Sequence, residues 1–303
     1  MSQLLILTAP PASGKTFLIK KIQHELQTPL LVIVPLRALA DECRQLWPKN
    51  IHVMTPEEWL IKKQKFSYVV MDEFHLNFYW GDTFRHQMWE VFYEISQSVE
   101  LMLVLTATLN QQMLQEIKLY DSTFNQIVWF NGGNQKLKYH PSRYLKFSDH
   151  SWPQKNLPLL PSQGVTLVFC QYRRQVKWWE DYLQKKGFSC LSCVGGEASE
   201  FSQKLILLPR PDFIIATTVL SHGVNLPRIG RICFTYKTKN IDFWIQMVAR
   251  GGRKGEKFEI FSPEDPYLIS FSIISNAFFL FRLKLRMILL KVWKEIQLWF
   301  LKA

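Results

Sequence analysis

The chain has 303 residues, carries 37 Lys plus Arg against 25 Asp plus Glu, and has a formal net charge of +12. Its length predicts two domains of about 150 residues each, and its 48% of hydrophobic and 20% of charged residues exclude a disordered or low-complexity protein. The excess positive charge indicates a polyanionic partner, with nucleic acid first and an acidic membrane surface second.

Aromatic residues and cysteines set two further limits. Aromatic side chains make up 14% of the residues, which suits a surface that stacks on bases, although core packing is the more common use of any single ring. The five cysteines indicate no disulfide framework, and the Cys190-x-x-Cys193 pair lacks the second pair that a zinc site needs. We see no leader and no apolar run long enough to span a membrane, so we expect a cytoplasmic protein.

Short β-branched runs alternate with longer helical patterns along the chain, which predicts parallel sheets with helices on both faces. Nine buried strands are predicted, at 4–9, 30–35, 51–55, 68–73, 101–108, 165–170, 213–218, 231–236 and 257–262. The first five and the last four form two series, separated by a proline-rich polar segment at 151–164 that reads as a linker. We therefore expect two α/β domains of one architecture, at 1–150 and 151–265, followed by a basic apolar helical tail at 266–303.

The first chemical signal lies between the first predicted strand and a helix. It is the segment Ala9-Pro10-Pro11-Ala12-Ser13-Gly14-Lys15-Thr16. In a strand-loop-helix context, the backbone N–H groups of such a loop face phosphates, Lys15 reaches the β and γ oxygens of ATP, and the Thr16 hydroxyl ligates Mg²⁺. The usual first glycine is Ala9 here, and a chance occurrence of Gly-Lys-Thr is the alternative.

A second signal closes the predicted strand at 68–73, where Asp72-Glu73-Phe74-His75 follows apolar residues. Two acids at the carboxyl end of a parallel strand lie where ligands of open α/β folds bind. We expect Asp72 to hold Mg²⁺ and Glu73 to orient or deprotonate the attacking water. Taken alone, such an acidic pair is usually a solvated turn, but here it follows the phosphate loop in the expected order.

Together with six further segments, these residues resemble superfamily 2 helicases of the DExH type, and the resemblance spans residues 5–262. The further segments resemble motifs Ia, Ib, III, IV, V and VI: 35–40, 55–57, 106–108, 167–170 with Arg173, 216–218 with 223–227, and 246–253. Motif VI is matched apart from Ala249. The resemblance implies two tandem RecA-like domains with parallel sheets, ATP and Mg²⁺ as bound groups, and ATP hydrolysis in the cleft between the domains.

The resemblance also implies roles for individual side chains. Arg250 and Arg253 would stabilise charge on the transferred phosphoryl group from the second domain, and Gln246 and Gly223 would sense the nucleotide. The residues that would couple the water site to the strand-binding face are His75, Thr106 and Thr108. The residues that would contact the sugar-phosphate backbone are Pro35, Arg37, Thr55, Arg173 and Thr217. The alternatives are capping or surface positions for the last group and a solvated basic loop for the arginines.

These features predict an ATP-dependent helicase or translocase acting on single-stranded or partly duplex nucleic acid, with DNA slightly favoured over RNA. The 3′-to-5′ polarity is implied by the resemblance alone. The alternative is an ATP-switched nucleic-acid-binding protein that recruits a partner through its tail and unwinds little. For the tail at 266–303 we expect packing against the two domains, with docking on a partner protein or an anionic membrane surface as alternatives.

Overall fold

A computed structural model describes residues 2–120, 122–161, 164–221 and 224–264. Contacts among them divide the chain into two compact units, the first formed by 2–35 and 42–136 and the second by 36–41 and 137–264. Each unit contains one six-stranded sheet in which every strand pair is parallel. The predicted fold class is therefore confirmed, while the predicted tail at 266–303 lies outside the described residues.

The first unit is built on one sheet with helices on both faces. Its elements are β1 Gln3–Thr8, α1 Lys15–Leu26, β2 Leu30–Ile33, α2 Arg37–Leu46, β3 Ile51–Met54, α3 Pro56–Lys62, β4 Tyr68–Met71, a π-helical turn Asn77–Gly81, α4 Gln87–Ser96, β5 Leu101–Thr106, α5 Gln111–Lys118 and β6 Gln126–Asn131. The first five residues of α2, at 37–41, are grouped by their contacts with the second unit. The strand order is β3-β2-β4-β5-β1-β6. All residues of β2, β4 and β5 are buried, which explains their uninterrupted apolar runs.

The second unit repeats this plan. Its elements are β7 Arg143–Lys146, α6 Trp152–Asn156, a 3-10 turn Leu157–Leu159, β8 Val165–Phe169, α7 Arg173–Lys185, β9 Cys190–Cys193, α8 Ala198–Leu207, β10 Phe213–Ala216, a 3-10 turn Thr218–Ser221, β11 Ile229–Phe234, α9 Ile241–Val248 and β12 Glu259–Ser262. The strand order is β7-β12-β11-β8-β10-β9. After β8 the chain continues to strands on one side, and after β11 it continues on the other. The order therefore reverses between these two neighbouring strands, which is where open α/β sheets bind ligands.

The unit boundary differs from the one predicted at residue 150. The contacts divide at Lys136 and Leu137, because β7 at 143–146 already pairs with β12 of the second sheet. The segment predicted as a linker is also part of the second unit, and it contains α6. The strands missed by the sequence analysis are β6, β7 and β9. Of these, β6 and β7 lie at sheet edges and are largely exposed or half-buried, so they lack the apolar runs that mark central strands.

The five cysteines are buried among the core residues. All five are free. Cys190 and Cys193 belong to β9, and burial raises the pKa of each thiol to about 12, so neither is a ready thiolate. Within the described ranges, no cluster of His, Cys, Asp and Glu could hold a metal by itself. No helix in these ranges is both long and apolar enough to cross a membrane.

Candidate functional site

The phosphate-loop candidate joins β1 to α1 and has the curved backbone of an anion-binding turn. Ala12 and Gly14 have left-handed conformations, with φ of 60° and 96°, and glycine adopts such a conformation without strain. The Lys15 ammonium donates hydrogen bonds to the carbonyl oxygens of Ala9, at 3.0 Å, and Pro10, at 3.3 Å. The loop therefore combines a cation with a tightly turned backbone at the start of a helix, which is the arrangement that phosphate groups require.

The predicted acids lie directly after β4, at the carboxyl edge of the same sheet. The Asp72 backbone N–H donates to the Ile33 carbonyl oxygen at 3.0 Å, and Asp72 Oδ1 accepts the Glu73 backbone N–H at 2.9 Å. Glu73 has a φ of 50°, a conformation that is uncommon outside glycine and concentrated at functional sites. Burial and the charge of Glu73 raise the pKa of Asp72 to about 7, against an opposing effect of the Lys15 charge. A bound cation would stabilise this poorly solvated carboxylate.

The polar groups around the loop fit a nucleotide with a magnesium ion. Thr16 is exposed at the second residue of α1. The side-chain oxygen of Ser13 is buried and has no hydrogen-bond partner among the described residues, as expected for a hydroxyl that a phosphate oxygen would satisfy. Hydroxyl and carboxylate oxygens are ligands that Mg²⁺ prefers, so Thr16 and Asp72 would hold the ion. Gly223, the nucleotide-sensing residue expected from the second domain, lies outside the described residues.

A buried polar cluster connects the acids to β5. His75 Nδ1 lies 3.0 Å from Thr106 Oγ1 and 3.5 Å from Glu73 Oε2. The Thr106 hydroxyl donates to the Thr108 carbonyl oxygen at 2.9 Å and accepts the Thr108 backbone N–H at 3.2 Å. The three residues predicted to couple are thus joined in one fully buried cluster.

This cluster is also joined to the phosphate loop. The Ala9 backbone N–H donates to the carbonyl oxygen of Thr106 at 3.0 Å, because β1 and β5 are neighbouring parallel strands in register. A displacement of Thr106 would therefore move Ala9, the first residue of the loop, because one backbone hydrogen bond joins the two residues. The sheet register accounts for this contact, which the spacing of the motifs could not show.

Two of the residues predicted to contact a nucleic-acid backbone in the first half of the chain occupy different environments. Arg37 is exposed at the first residue of α2. Thr55 is 2% exposed, and its hydroxyl caps α3 by accepting the Glu58 backbone N–H at 3.4 Å. The Glu58 carboxylate accepts the Thr55 backbone N–H in return, at 2.8 Å. The capping alternative therefore describes the Thr55 side chain, and the hydroxyl is not presented to a ligand.

Arg85 was not predicted from the sequence. It links the segment at 35–40, which resembles motif Ia, to the segment at 55–57, which resembles motif Ib. Its guanidinium donates to both carboxylate oxygens of Glu57, at 2.7 and 2.8 Å, and to the Pro35 carbonyl oxygen. Burial opposes the charge of Glu57, but the hydrogen bonds and charge of Arg85 outweigh it and hold the pKa of Glu57 below its ordinary value. The guanidinium also lies 5.9 Å over the Trp80 ring. No local pattern marks Arg85, since Glu57 and Pro35 lie 28 and 50 residues away.

In the second unit, most of the segment at 246–253 that resembles motif VI is buried in the interior of the unit. Gln246 and Arg250 are only 1% and 2% exposed, so the alternative of a solvated loop is wrong for Arg250. The Arg250 guanidinium donates to the Val224 carbonyl oxygen at 2.6 Å, which ties it to the segment that resembles motif V. Arg253 is half-buried, and its Nε donates to the Ala249 carbonyl oxygen at 2.7 Å.

The two glycines between these arginines are required by their surroundings. A Cβ added at Gly251 would lie 2.3 Å from the ring of Phe258. Gly252 has a φ of 72°, and a Cβ there would lie 2.9 Å from the Cβ of Tyr139. Since real Cβ atoms do not approach other atoms so closely, the loop holds its shape only with glycine at both positions.

The remaining predicted strand contacts lie at one edge of the second sheet. Arg173 is exposed at the first residue of α7, four residues after β8, and its guanidinium donates to the Gly195 carbonyl oxygen at 2.8 Å. Thr217 directly follows β10 and is half-buried. Because β8 and β10 are parallel neighbours, both residues lie at carboxyl ends of strands.

Comparisons with known proteins match both halves of the chain. Residues 43–117 match a family model described as DEAD/DEAH box helicase, and residues 154–255 match the helicase conserved C-terminal domain. The chain is 24% identical over 217 residues to the ATP-dependent RNA helicase eIF4A of Chaetomium globosum, covering 69% of this chain and 53% of the relative. It is 26% identical over 219 residues to the RecQ-like DNA helicase BLM of Xenopus laevis, covering 68% and 16%. The chain thus spans about half or less of the length of these relatives.

Solved structures show the same fold. S. cerevisiae Dbp5 bound to RNA and ADP BeF3 is 16% identical, with a TM-score of 0.68 over 89% of this chain and 80% of that chain. The likeness confirms the two RecA-like units. The family model of the first half covers DEAD and DEAH boxes together, so it does not single out the DExH type predicted from the sequence. The two family matches, one in each half and in this order, agree with the resemblance to superfamily 2 helicases that the motifs carry.

Proposed function

We propose that this chain is a nucleic-acid-dependent ATPase that works as an RNA helicase. The observation that carries the proposal is the path of polar contacts from Glu73, whose Oε2 lies 3.5 Å from His75 Nδ1, through His75 and Thr106 to the loop at Ala9. Such a path connects the group that would act on the attacking water with the group that would hold the phosphates. It is the arrangement needed if the state of the nucleotide is to change the shape of the sheet edge.

The side chains of the first unit would divide the chemistry as follows. Lys15 would hold the β and γ phosphates, within a loop formed by Pro10, Pro11, Ala12, Ser13 and Gly14. When bound by Thr16 and Asp72, Mg²⁺ would neutralise charge on the phosphate oxygens. Glu73 would orient the water and accept its proton at a carboxylate oxygen.

From the second unit, Arg253 would contact the transferred phosphoryl group, a role that its partial exposure supports. Arg250 is held by the Val224 carbonyl oxygen, which supports a positioning role within the loop that carries Arg253. Gln246, which is buried in α9, would act with it. This division of roles refines the expectation that both arginines contact the nucleotide.

RNA is the proposed substrate. The eIF4A relative is named an RNA helicase, and the Dbp5 structure contains RNA. The BLM relative is named a DNA helicase. Because relatives of both kinds match the chain, the comparisons do not support the slight preference for DNA that was predicted. Within superfamily 2, the residues Asp72 to His75 have the DExH form, and we retain that type as part of the proposal. The strand would contact Arg37 at the start of α2, and Arg173 and Thr217 at the carboxyl ends of strands of the second sheet.

ATP turnover measured with and without single-stranded RNA and DNA, combined with duplex displacement, tests the proposal. We expect stimulation by RNA and ATP-dependent displacement of a short duplex. Strong stimulation without displacement would indicate a translocase, and ATP-dependent binding with neither would indicate the ATP-switched binding protein. An unstimulated rate contradicts the proposal. A Glu73→Gln preparation, purified in parallel, shows whether the measured turnover belongs to this chain.

A further inference from the structure

The second unit contains an open cavity that the proposed ATPase chemistry does not use. Its volume is about 630 Å³, and it lies among α6, α7 and the end of β11. Arg174 and Gln175 line it from the start of α7, which follows β8, and Thr235 lines it directly after β11. The cavity therefore lies at the carboxyl ends of the two neighbouring strands between which the strand order reverses. Open α/β sheets bind their ligands at such a position.

An aromatic and cationic stripe on α7 begins in the cavity, where Arg174 and Trp178 form part of the lining. Arg174, Trp178, Tyr182 and Lys186 follow one another at four-residue intervals, so they share one face of the helix. The rings of Trp178 and Tyr182 are stacked, with centroids 5.1 Å apart and planes inclined by 8°. The Lys186 ammonium lies 5.3 Å over the Tyr182 ring. The Tyr182 hydroxyl donates to the Gln154 carbonyl oxygen at 2.8 Å, which ties the stripe to α6 and fixes the ring plane.

Trp178 is available to a ligand, while its neighbour supplies the core packing. Trp178 is 48% exposed, whereas Trp179 is 3% exposed and packs in the core with Val176 and Leu183. Positive charge lies one helical turn before the exposed ring, because Arg174 lines the same cavity four residues earlier. Its guanidinium lies 5.4 Å over the ring of Tyr172 at the start of the same helix. An oriented, half-exposed ring beside a cation offers the two interactions that hold single strands without sequence preference, which are base stacking and phosphate neutralisation.

We propose that this cavity is a base-stacking subsite for single-stranded nucleic acid, in which one base stacks on Trp178 and an adjacent phosphate pairs with Arg174. The inference rests on the proposed function, because it extends the strand path expected at Arg173, the preceding residue. The contacts expected at Arg173 and Thr217 involve the sugar-phosphate backbone alone. This subsite contacts the base itself, so binding depends on the presence of a base and not on its identity. The cations at both ends of the stripe favour a polyanion over an apolar peptide.

Fluorescence anisotropy of a fluorescein-labelled 12-nucleotide oligouridylate, with the full chain, measures the contribution of the ring. We expect Trp178→Ala to raise the Kd by about 5- to 150-fold, and Trp178→Phe to restore most of the loss. Leu207→Ala is the matched control, because it removes an apolar side chain that is 86% exposed on another helix of the same unit. We expect its Kd to equal that of the wild type.

The dependence of Kd on salt measures the contribution of the charge. Arg174→Gln should lower the slope of log Kd against log salt by about 0.7 for a single strand. Lys177→Gln removes one positive charge from the same helix, at a side chain that is 78% exposed and outside the cavity lining. This control should leave the slope unchanged. Equal slopes for Arg174→Gln and the wild type would overturn the assignment of the phosphate to Arg174.

An abasic oligonucleotide of the same length distinguishes stacking from a structural role of Trp178. The wild type should bind the abasic oligonucleotide as weakly as Trp178→Ala binds oligouridylate. Trp178→Ala should bind the abasic oligonucleotide no more weakly than the wild type does. If Trp178→Ala weakens binding of both oligonucleotides by the same factor, Trp178 has a structural role and the subsite is overturned.

The outcomes also separate this inference from the proposed function. If the wild type binds oligouridylate and Trp178→Ala binds it equally tightly, the subsite is wrong while the proposed function stands. The subsite is equally wrong if Trp178→Ala leaves oligouridylate binding unchanged and abolishes binding of a partner protein. If the wild type binds no single-stranded RNA or DNA, both are overturned.

Discussion

The two units hold their predicted ATP-site residues in contrasting ways. In the first unit, Lys15 begins α1, and Asp72 and Glu73 directly follow β4, so the strands of the sheet are complete without their side chains. In the second unit, Gln246 and Arg250 are buried, and the loop that follows them packs on the ring of Phe258. We infer that the residues predicted for ATP chemistry are dispensable for folding in the first unit, whereas those in the second unit also belong to its packed interior. The predictions below test that contrast.

The largest effect should come from the first unit and should leave stability intact. Glu73→Gln should lower ATP turnover by about 10²- to 10⁴-fold, because the amide cannot accept the proton of the attacking water, while nucleotide binding persists. Lys15→Ala should abolish turnover by removing the phosphate cation. Turnover assays, binding of a fluorescent ATP analogue and thermal unfolding check these results. Lys21→Ala on the exposed face of α1, where Lys21 pairs with Glu25, is the control. Normal hydrolysis by Glu73→Gln would refute the role of Glu73.

Gly251→Ala should act on folding and turnover together. The new Cβ would meet the Phe258 ring at 2.3 Å, and overpacking of this kind lowers the free energy of unfolding by about 3 kcal/mol. Urea denaturation followed by intrinsic fluorescence measures the loss. Gly195→Ala is the matched control, because its Cβ would make an ordinary 3.5 Å contact with Arg173. A stable Gly251→Ala protein without ATPase activity would contradict the shared role of this loop.

Thr106→Val should affect coupling more than hydrolysis. The substitution removes the hydroxyl that contacts His75 and Thr108, and buried polar groups left without that partner should lower the free energy of unfolding by about 1–3 kcal/mol. We also expect the ratio of RNA-stimulated to basal ATPase rate to fall toward one. Thr106→Ser keeps the hydroxyl and should restore the ratio. An unchanged ratio in a destabilised Thr106→Val protein would show that the cluster is structural only.

The smallest effect should come from Arg85. Arg85→Ala removes the hydrogen bonds to Glu57 and should lower the free energy of unfolding at pH 7 by about 1 kcal/mol. The folded-state pKa of Glu57 lies below its ordinary value of 4.5, so the stabilisation is present above pH 4.5 and is lost as the pH falls through the folded pKa. The wild type and Arg85→Ala should therefore converge in chemical denaturation as the pH falls below the folded-state pKa of Glu57. Lys63→Ala, which breaks an exposed pair with Glu94, should have almost no effect at either pH.

The features that could be predicted from the sequence are those that depend on residues close together in the chain. Buried parallel strands need continuous apolar runs, so most strands could be located, whereas β6 and β7 at the sheet edges could not. The phosphate loop and Asp72 were predicted because their positions depend on a strand end and its turn. The Glu57–Arg85 link and the packing of Gly251 on Phe258 depend on residues distant in sequence, and no spacing rule reveals them. Thr55 shows the reverse case, since its Thr-Pro-Glu-Glu sequence also fits the helix cap that the structure contains.

The central position of β1 has a consequence for biosynthesis. Residues 3–8 lie between β5 at 101–106 and β6 at 126–131, and they pair with both. At translation rates of about 5–20 residues per second, this apolar segment waits several seconds before either neighbour has been made. Nascent chains of the first unit should therefore bind chaperones until residue 131 has left the ribosome. The loop that follows β1 is therefore synthesised early, but its strand gains both of its neighbours only after residue 131 has been made.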